Sequence, residues 1–214
     1  MLRSSFDTEK LSVKLGMVFA RFGISPNTWT ILALLPAVGG FLAVAFYGKY
    51  PDNLLIGLFL FIVSGFLDAV DGAVARVTSR VSALGAFLDG VIDRYVEILI
   101  YMGLYFFLAD KTQTLWLPNS FWISFLIFGS LMPTFIRAYA DHRKVVTDPS
   151  ALRAMGGLLE RAERLTLVYL GMFVGALPGF GIIWLIYVLA ATSILANYTA
   201  LQRLWFAVRY AQSK

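Results

Sequence analysis

The chain has 214 residues, of which 59% are hydrophobic and 14% are charged, and its formal net charge is +5. Soluble domains carry about 25% charged residues, so this composition indicates a protein whose solvent is lipid. The sequence has no cysteine, which excludes disulfides, thiolate metal sites and cysteine nucleophiles. It has one histidine. We attribute the positive charge to basic loops at a membrane surface and predict no nucleic-acid partner.

The amino-terminal segment does not have the continuous apolar core of a signal peptide, because Lys10, Lys14 and Arg21 interrupt it. Its apolar residues recur at helical spacing, and they are Leu11, Leu15, Val18, Phe19 and Phe22. We therefore predict an amphipathic juxtamembrane helix over residues 1–23 that lies on the membrane surface. The alternative is a poorly ordered terminus.

Residues 24–214 are predicted to form a single all-α domain of six transmembrane helices, because six apolar stretches of suitable length follow one another. The first stretch runs from about Trp29 to Phe46, with Ser25 as its N-cap and Pro26 at the first helical position. The others cover about 54–75, 84–108, 121–139, 165–176 and 182–204, and Pro178-Gly179 turns the chain between the last two.

Basic residues predict the orientation of these spans. If the amino terminus is cytoplasmic, most of the basic residues lie on the cytoplasmic side. They are Arg3, Lys10, Lys14, Arg21, Arg76, Arg80, Arg143, Lys144, Arg153, Arg161, Arg164, Arg203, Arg209 and Lys214. The other side has Lys49 and Lys111. This asymmetry predicts that both termini are cytoplasmic. The longest inner loop runs from about His142 to Glu163, and long polar loops often carry function.

Four aspartates surround the loop between the second and third spans. Asp68 and Asp71 are three residues apart, and Asp89 and Asp93 are four apart, so each pair shares one helix face. Antiparallel neighbouring helices would bring all four together near the cytoplasmic surface. Carboxylates so close need a counter-charge. Because all the ligands are oxygen, Mg²⁺, Mn²⁺ or Ca²⁺ would suit the site better than zinc.

Small residues lie beside these acids. Gly72 and Ala75 share the face of the first aspartate pair, and Gly85 lies one turn before Asp89. The missing side chains leave space in which a flat base or a phosphate can approach the backbone. Arg76 adds a guanidinium fork suited to phosphate.

Two other interpretations of the acids remain open at this point. Acids in membrane spans can form an ion or proton path, or a buried ion-pair network with Arg94 and Arg137. Transport sites usually lie near the midplane of the bundle. The clustering of these acids near one membrane face, among most of the arginines, favours a metal-dependent enzyme.

The order Asp68, Asp71-Gly72, Ala75-Arg76, Gly85, Asp89, Asp93 resembles the signature of the CDP-alcohol phosphotransferase family at every fixed position and gap. The resemblance implies an integral membrane enzyme that transfers the phosphatidyl or archaetidyl group of a CDP-lipid to an alcohol and releases CMP. It further implies a homodimer whose active site faces the cytoplasm.

The resemblance also implies roles for single residues. Asp68, Asp71 and Asp89 would bind Mg²⁺ or Mn²⁺, and Asp93 would join a second ion or act as the base. The CDP-lipid would contact Gly72, Ala75, Arg76 and Gly85. We favour Asp93 as the base because it lies one turn beyond Asp89. Asn27 and Thr30 resemble the Pro-Asn-x-x-Thr sequence of family members, and they would approach the nucleotide or cap the first span.

A second resemblance concerns the acceptor. Residues 156–164 are similar to the Glu-Arg-Pro-Glu-Arg segment of phosphatidylinositol-phosphate synthases and their archaeal ether-lipid counterparts, with Ala162 in place of proline. It implies inositol phosphate as the acceptor, with its phosphate held by Arg137, by Arg161 or Arg164, and by Arg203. A phosphorylated acceptor is a dianion that calls for several arginines. The alternatives are glycerol 3-phosphate as the acceptor, and arginines that only anchor the helices at the membrane surface.

Overall fold

The computed structural model describes residues 8–47 and 52–213, and these residues form helices and no strand. The helices are α1 (Thr8–Ala20), α2 (Pro26–Leu32), α3 (Leu34–Tyr47), α4 (Asp52–Val77), α5 (Ala83–Ala109), α6 (Asn119–His142), α7 (Pro149–Ala154), α8 (Arg161–Ala176) and α9 (Ile182–Gln212). The prediction of an all-α chain is confirmed. Residues 1–7 of the predicted amino-terminal helix, together with Lys49 and Lys214, lie outside the described residues.

A helix occupies each of the six predicted spans. Within the described residues, four segments are long and apolar enough to cross a membrane, namely Pro26–Phe46, Asp52–Val77, Asn119–His142 and Ile182–Gln212. The other two predicted spans correspond to α5, whose 27 residues include the acids at its start, and to α8, which has 16 residues. The last helix continues well beyond the predicted boundary at residue 204.

The first span consists of α2 and α3, which are separated at Ala33. Ser25 is the N-cap, since its side chain accepts a hydrogen bond from the Thr28 N–H at 3.2 Å, and Pro26 follows it, as predicted. At the break, the Ser64 hydroxyl donates to the Ala33 carbonyl at 2.8 Å. A buried carbonyl at the helix interruption thereby receives a partner.

The predicted inner loop between His142 and Glu163 contains a helix that the sequence patterns did not reveal. Asp148 caps α7, its side chain accepting from the Ser150 N–H at 2.9 Å. The segment that carries α7 is held by a small apolar cluster of Ala140, Val146 and Met155, to which the distant helix α9 contributes Ala207. A six-residue helix is marginal by itself, so this packing explains why it forms.

The chain divides into two compact units, Met1–Ala43 with Ile56–Ile100, and Val44–Leu55 with Tyr101–Lys214. In the first unit, α1 packs on a core of Trp29, Val70 and Val74. In the second unit, α6 and α9 approach closely at Gly129, and the Asn197 amide donates to the Phe125 carbonyl at 2.8 Å. Small residues and buried polar contacts of this kind are common between membrane helices.

Candidate active site

Three of the four predicted aspartates meet in the first unit. Asp68 and Asp71 of α4 and Asp89 of α5 each offer one carboxylate oxygen, and these oxygens lie within 4.8 Å of one another. Asp93 follows Asp89 by one helical turn, is half-buried, and lies outside this group of three. It is close enough to interact electrostatically with Asp71.

A tight turn between α4 and α5 sets the distance between these acids. Helix α4 ends in a Schellman motif: the Ser79 N–H donates to the Arg76 carbonyl at 3.3 Å and the Arg80 N–H to the Ala75 carbonyl at 2.9 Å. Ser79 takes the left-handed conformation, with φ of 55°, that glycine usually supplies. Ser82 then caps α5 by accepting from the Gly85 N–H at 3.0 Å.

The three carboxylates fit a divalent cation. Asp71 is buried, and its Oδ2 atom has no hydrogen-bond partner among the described residues. The Thr30 hydroxyl, which donates to the Pro26 carbonyl at 3.2 Å, also interacts with this carboxylate. A buried carboxylate oxygen that faces two further acids is costly unless a cation neutralises the group. Three converging carboxylate oxygens match the ligand preference of Mg²⁺ and Mn²⁺.

A cavity of about 490 Å³ opens beside the acids. All the residues that were predicted to contact the CDP-lipid line it, and they are Asn27, Thr30, Gly72, Ala75, Arg76 and Gly85. Arg80 and Ser82 line it as well, and the sequence patterns did not single them out as site residues. Both belong to the turn after α4. Their proximity to Arg76 and Gly85 in the sequence is the signal that could have identified them.

One alternative interpretation of the aspartates was a buried ion-pair network in which Arg94 is one of the partners. In the structure, the Arg94 guanidinium pairs with Glu97, one turn further along α5, at 3.0 Å. Glu97 is buried.

The predicted arginines lie in the second unit. Arg203 of α9 is 4% exposed, and its guanidinium donates to the Pro133 carbonyl at 2.7 Å and to the Glu160 carboxylate at 2.6 Å. Arg137 of α6 donates to the Met155 carbonyl and interacts electrostatically with Arg203 and Glu160. These three side chains therefore form one charged cluster that lies between α6, α9 and the start of α8.

The other two predicted arginines follow Glu160 on the first turn of α8. Arg164 is 2% exposed, and Arg161 is half-buried. Glu160 itself is the N-cap residue of α8. Burial of this degree is unusual for an arginine that only anchors a helix at a membrane surface, since such side chains normally extend into water.

The segment that carries Glu160 is fixed on α9 by two backbone contacts. The Leu158 N–H donates to the Gln202 side chain at 2.8 Å, and the Leu159 N–H donates to the Thr199 hydroxyl at 2.9 Å. Gly157 lies so close to Thr199 that an added Cβ would overlap the threonine methyl group. Glycine is therefore required at residue 157 by this close approach.

We predict that Gly157→Ala lowers stability by about 1–3 kcal/mol, because an extra methyl group must displace well-packed neighbours. Gly156→Ala is the matched control, since its added Cβ would meet its nearest neighbours at 3.8 Å. The thermal midpoint of the purified proteins in detergent measures the difference. Thr199→Ser should restore part of the loss, because it removes the methyl group and keeps the hydroxyl. Equal destabilisation by both glycine variants would contradict the argument.

Known proteins are similar to this chain over most of its length. Residues 23–195 match the sequence model of the family described as CDP-alcohol phosphatidyltransferase. An archaetidylinositol phosphate synthase of Pyrococcus horikoshii is 29% identical over 76% of this chain and 77% of its own. A phosphatidylinositol phosphate synthase of Mycobacteroides abscessus is 29% identical over 94% of this chain and 84% of its own.

Solved structures are similar too. The phosphatidylinositol phosphate synthase PgsA1 of Mycobacterium tuberculosis, in complex with manganese and citrate, superposes with a TM-score of 0.78 at 25% identity, covering 92% of this chain and 88% of that one. The same enzyme with CDP-DAG bound gives a TM-score of 0.77 at 25% identity, covering 92% and 94%. The apolar helices and these relatives identify an integral membrane enzyme that depends on divalent metal, and the chain belongs to the CDP-alcohol phosphatidyltransferase family.

Proposed function

We propose that this enzyme transfers the phosphatidyl or archaetidyl group of a CDP-lipid to inositol phosphate and releases CMP. The observation that supports this acceptor is the pair of half-buried Arg137 and buried Arg203, whose Nε atoms have no hydrogen-bond partner among the described residues. Unpaired donors on two neighbouring cations favour a dianionic ligand. The named relatives from Pyrococcus horikoshii and Mycobacteroides abscessus point to the same acceptor.

The aspartates provide the metal site in this proposal. Asp68, Asp71 and Asp89 would hold the first of two ions, Mg²⁺ or Mn²⁺, and the alternative to a role as the base is that Asp93 joins the site of the second ion. Bound divalent ions neutralise the diphosphate and stabilise the departing CMP. Without a cation, the three carboxylates would repel the diphosphate of the CDP-lipid.

The residues of the cavity would orient the CDP-lipid. Asn27 and Thr30 would approach the nucleotide, while Gly72, Ala75 and Gly85 leave the backbone accessible to it. The Arg76 guanidinium would contact the diphosphate. Asp93 would accept the proton of the attacking acceptor hydroxyl, because it is half-buried beside the metal ligands and is not one of the three acids that converge.

The phosphate of the acceptor would be held by Arg137, Arg203 and the start of α8. Glu160 fixes the Arg203 guanidinium from one side, so its remaining N–H groups keep a defined direction. Arg161 and Arg164, one turn apart, would add further donors. Free inositol would leave this cluster without an anion, and serine would offer it only the single charge of a carboxylate, so the cluster favours a phosphorylated acceptor.

The topology belongs to the same proposal. Residues 24–214 would form six spans, with α5 and α8 crossing the membrane beside the four apolar segments, and α1 would be the surface helix of the segment 1–23. The exposed side of α1 carries Leu11, Met17 and Val18 together with Lys10 and Lys14, and this amphipathic pattern supports a position at the lipid boundary. Both termini and the site would face the cytoplasm, and two copies would form a homodimer.

The proposal is tested by CMP release from the purified enzyme with Mg²⁺ and either CDP-diacylglycerol or its ether-lipid analogue. Inositol 1-phosphate, inositol 3-phosphate, glycerol 3-phosphate, free inositol and serine are supplied separately. We expect release with an inositol phosphate and its loss on chelation of the metal. Release only with glycerol 3-phosphate would retain the metal site and overturn our assignment of the acceptor. No release with any acceptor, from folded protein, would overturn the proposal as a whole.

A further inference from the structure

The amino-terminal helix α1 packs antiparallel against α4, the helix that carries Asp68 and Asp71. Gly16 marks the closest approach, because an added Cβ would lie 2.5 Å from the Ala73 carbonyl oxygen and 2.7 Å from the Val77 side chain. One turn later, Phe19 contacts Phe66 with 5.8 Å between ring centroids. The register of α1 on α4 is therefore fixed by backbone contact and by aromatic packing at two successive turns.

This register places Ser12 beside Arg76. The Arg76 Nη2 atom donates a hydrogen bond to the Ser12 hydroxyl oxygen at 2.8 Å, across 64 residues of sequence. The same guanidinium lies over Gly72, where its Nη1 atom would be 3.2 Å from an added Cβ. Arg76 and Gly72 both line the cavity beside the acids. The guanidinium is thus held between a glycine surface on α4 and a hydroxyl on α1.

An exposed arginine has many rotamers, and fixing one of them costs up to about 2 kcal/mol of side-chain entropy. A contact that already selects the rotamer removes part of this cost before a ligand binds. Ser12 contributes such a contact from outside α4. A serine also accepts this bond without introducing a negative charge, so the guanidinium keeps its full charge for an anion.

We propose that Ser12 is a positioning residue that holds the Arg76 guanidinium at the wall of the cavity, toward the diphosphate of the CDP-lipid. The inference rests on the proposed function, since it assumes that a CDP-lipid occupies this cavity. It assigns α1 a part in nucleotide-lipid recognition in addition to its position at the membrane surface. The fixed register at Gly16 is what makes the contact available.

The experiment measures the Kd of CDP-diacylglycerol with Mg²⁺, and KM and kcat for both substrates, in the purified full-length protein. Ser12→Ala should raise the Kd and the KM for the CDP-lipid about fivefold, the effect of one ordinary hydrogen bond. The KM for the acceptor and the thermal midpoint should not change. Ser12→Thr should stay near wild type, because it keeps the hydroxyl, and Lys14→Ala controls for a general effect of changing α1.

The decisive comparison repeats Ser12→Ala in an Arg76→Lys background, where the substitution should have no further effect on Kd. An equal effect in both backgrounds, an unchanged Kd in Ser12→Ala, or a fall in kcat at constant KM would overturn the inference. If the wild-type protein binds the CDP-lipid but releases no CMP with inositol phosphate, the proposed acceptor is wrong. The Kd values of the Ser12 variants would still decide the inference about Ser12. Wild-type protein that binds no CDP-lipid would overturn both.

Discussion

Asp93→Asn is expected to lose nearly all turnover while it retains CDP-lipid binding close to that of wild type. Asparagine has the same shape as aspartate but cannot accept the proton of the acceptor hydroxyl, and a general base typically contributes 10²–10⁴-fold. The three converging oxygens of Asp68, Asp71 and Asp89 stay in place, so the metal and the nucleotide should still bind. The initial rate of CMP release and the Kd of CDP-diacylglycerol test the two parts separately.

Asp110→Asn is a suitable control for this substitution. Asp110 is exposed and directly follows the other end of α5, so the same chemical change there should leave turnover and binding unaltered. Near-normal turnover in Asp93→Asn would show that Asp93 is not the base. A joint loss of turnover and CDP-lipid binding would instead identify Asp93 as a metal ligand without a separate role in proton transfer.

Arg203→Ala is expected to raise the KM for inositol phosphate by about 10–100-fold, with little change in the KM for the CDP-lipid. Hydrogen bonds to charged groups contribute about 1.5–3 kcal/mol each, and the guanidinium is buried beside Arg137. The substitution also frees Glu160, whose side chain is 43% exposed and can be solvated by water. We therefore expect the folded protein to persist, and its thermal midpoint checks this.

Arg209→Ala provides the matched control on the same helix. Arg209 is exposed, and its guanidinium lies 4.1 Å from the centre of the Trp205 ring, so its removal takes away a charge of α9 outside the charged cluster of Arg137, Glu160 and Arg203. The KM for the acceptor should not change in this variant. If Arg203→Ala and Arg209→Ala raise that KM equally, the effect is one of general surface charge and the acceptor pocket is wrongly placed.

The aspartate site was accessible from the sequence because its geometry is local. Spacings of three and four residues place side chains on one helix face, and a turn of a few residues makes α4 and α5 neighbours. The cap at Ser25 was equally accessible, since it depends on the residues that follow it directly. The end of α4 was harder to predict from the sequence, because Ser79 occupies a position at which a glycine usually signals the turn.

The sequence itself thus determined three features through periodicity and spacing. These are the helices at the six apolar stretches, the meeting of Asp68, Asp71 and Asp89, and the family. Only the tertiary structure placed α7, the Glu160 contact on Arg203 and the Ser12 contact on Arg76. The last two contacts join residues 43 and 64 positions apart. No local period encodes such pairs, because they depend on how closely helices approach, and that distance is decided by packing at single glycines such as Gly16 and Gly157.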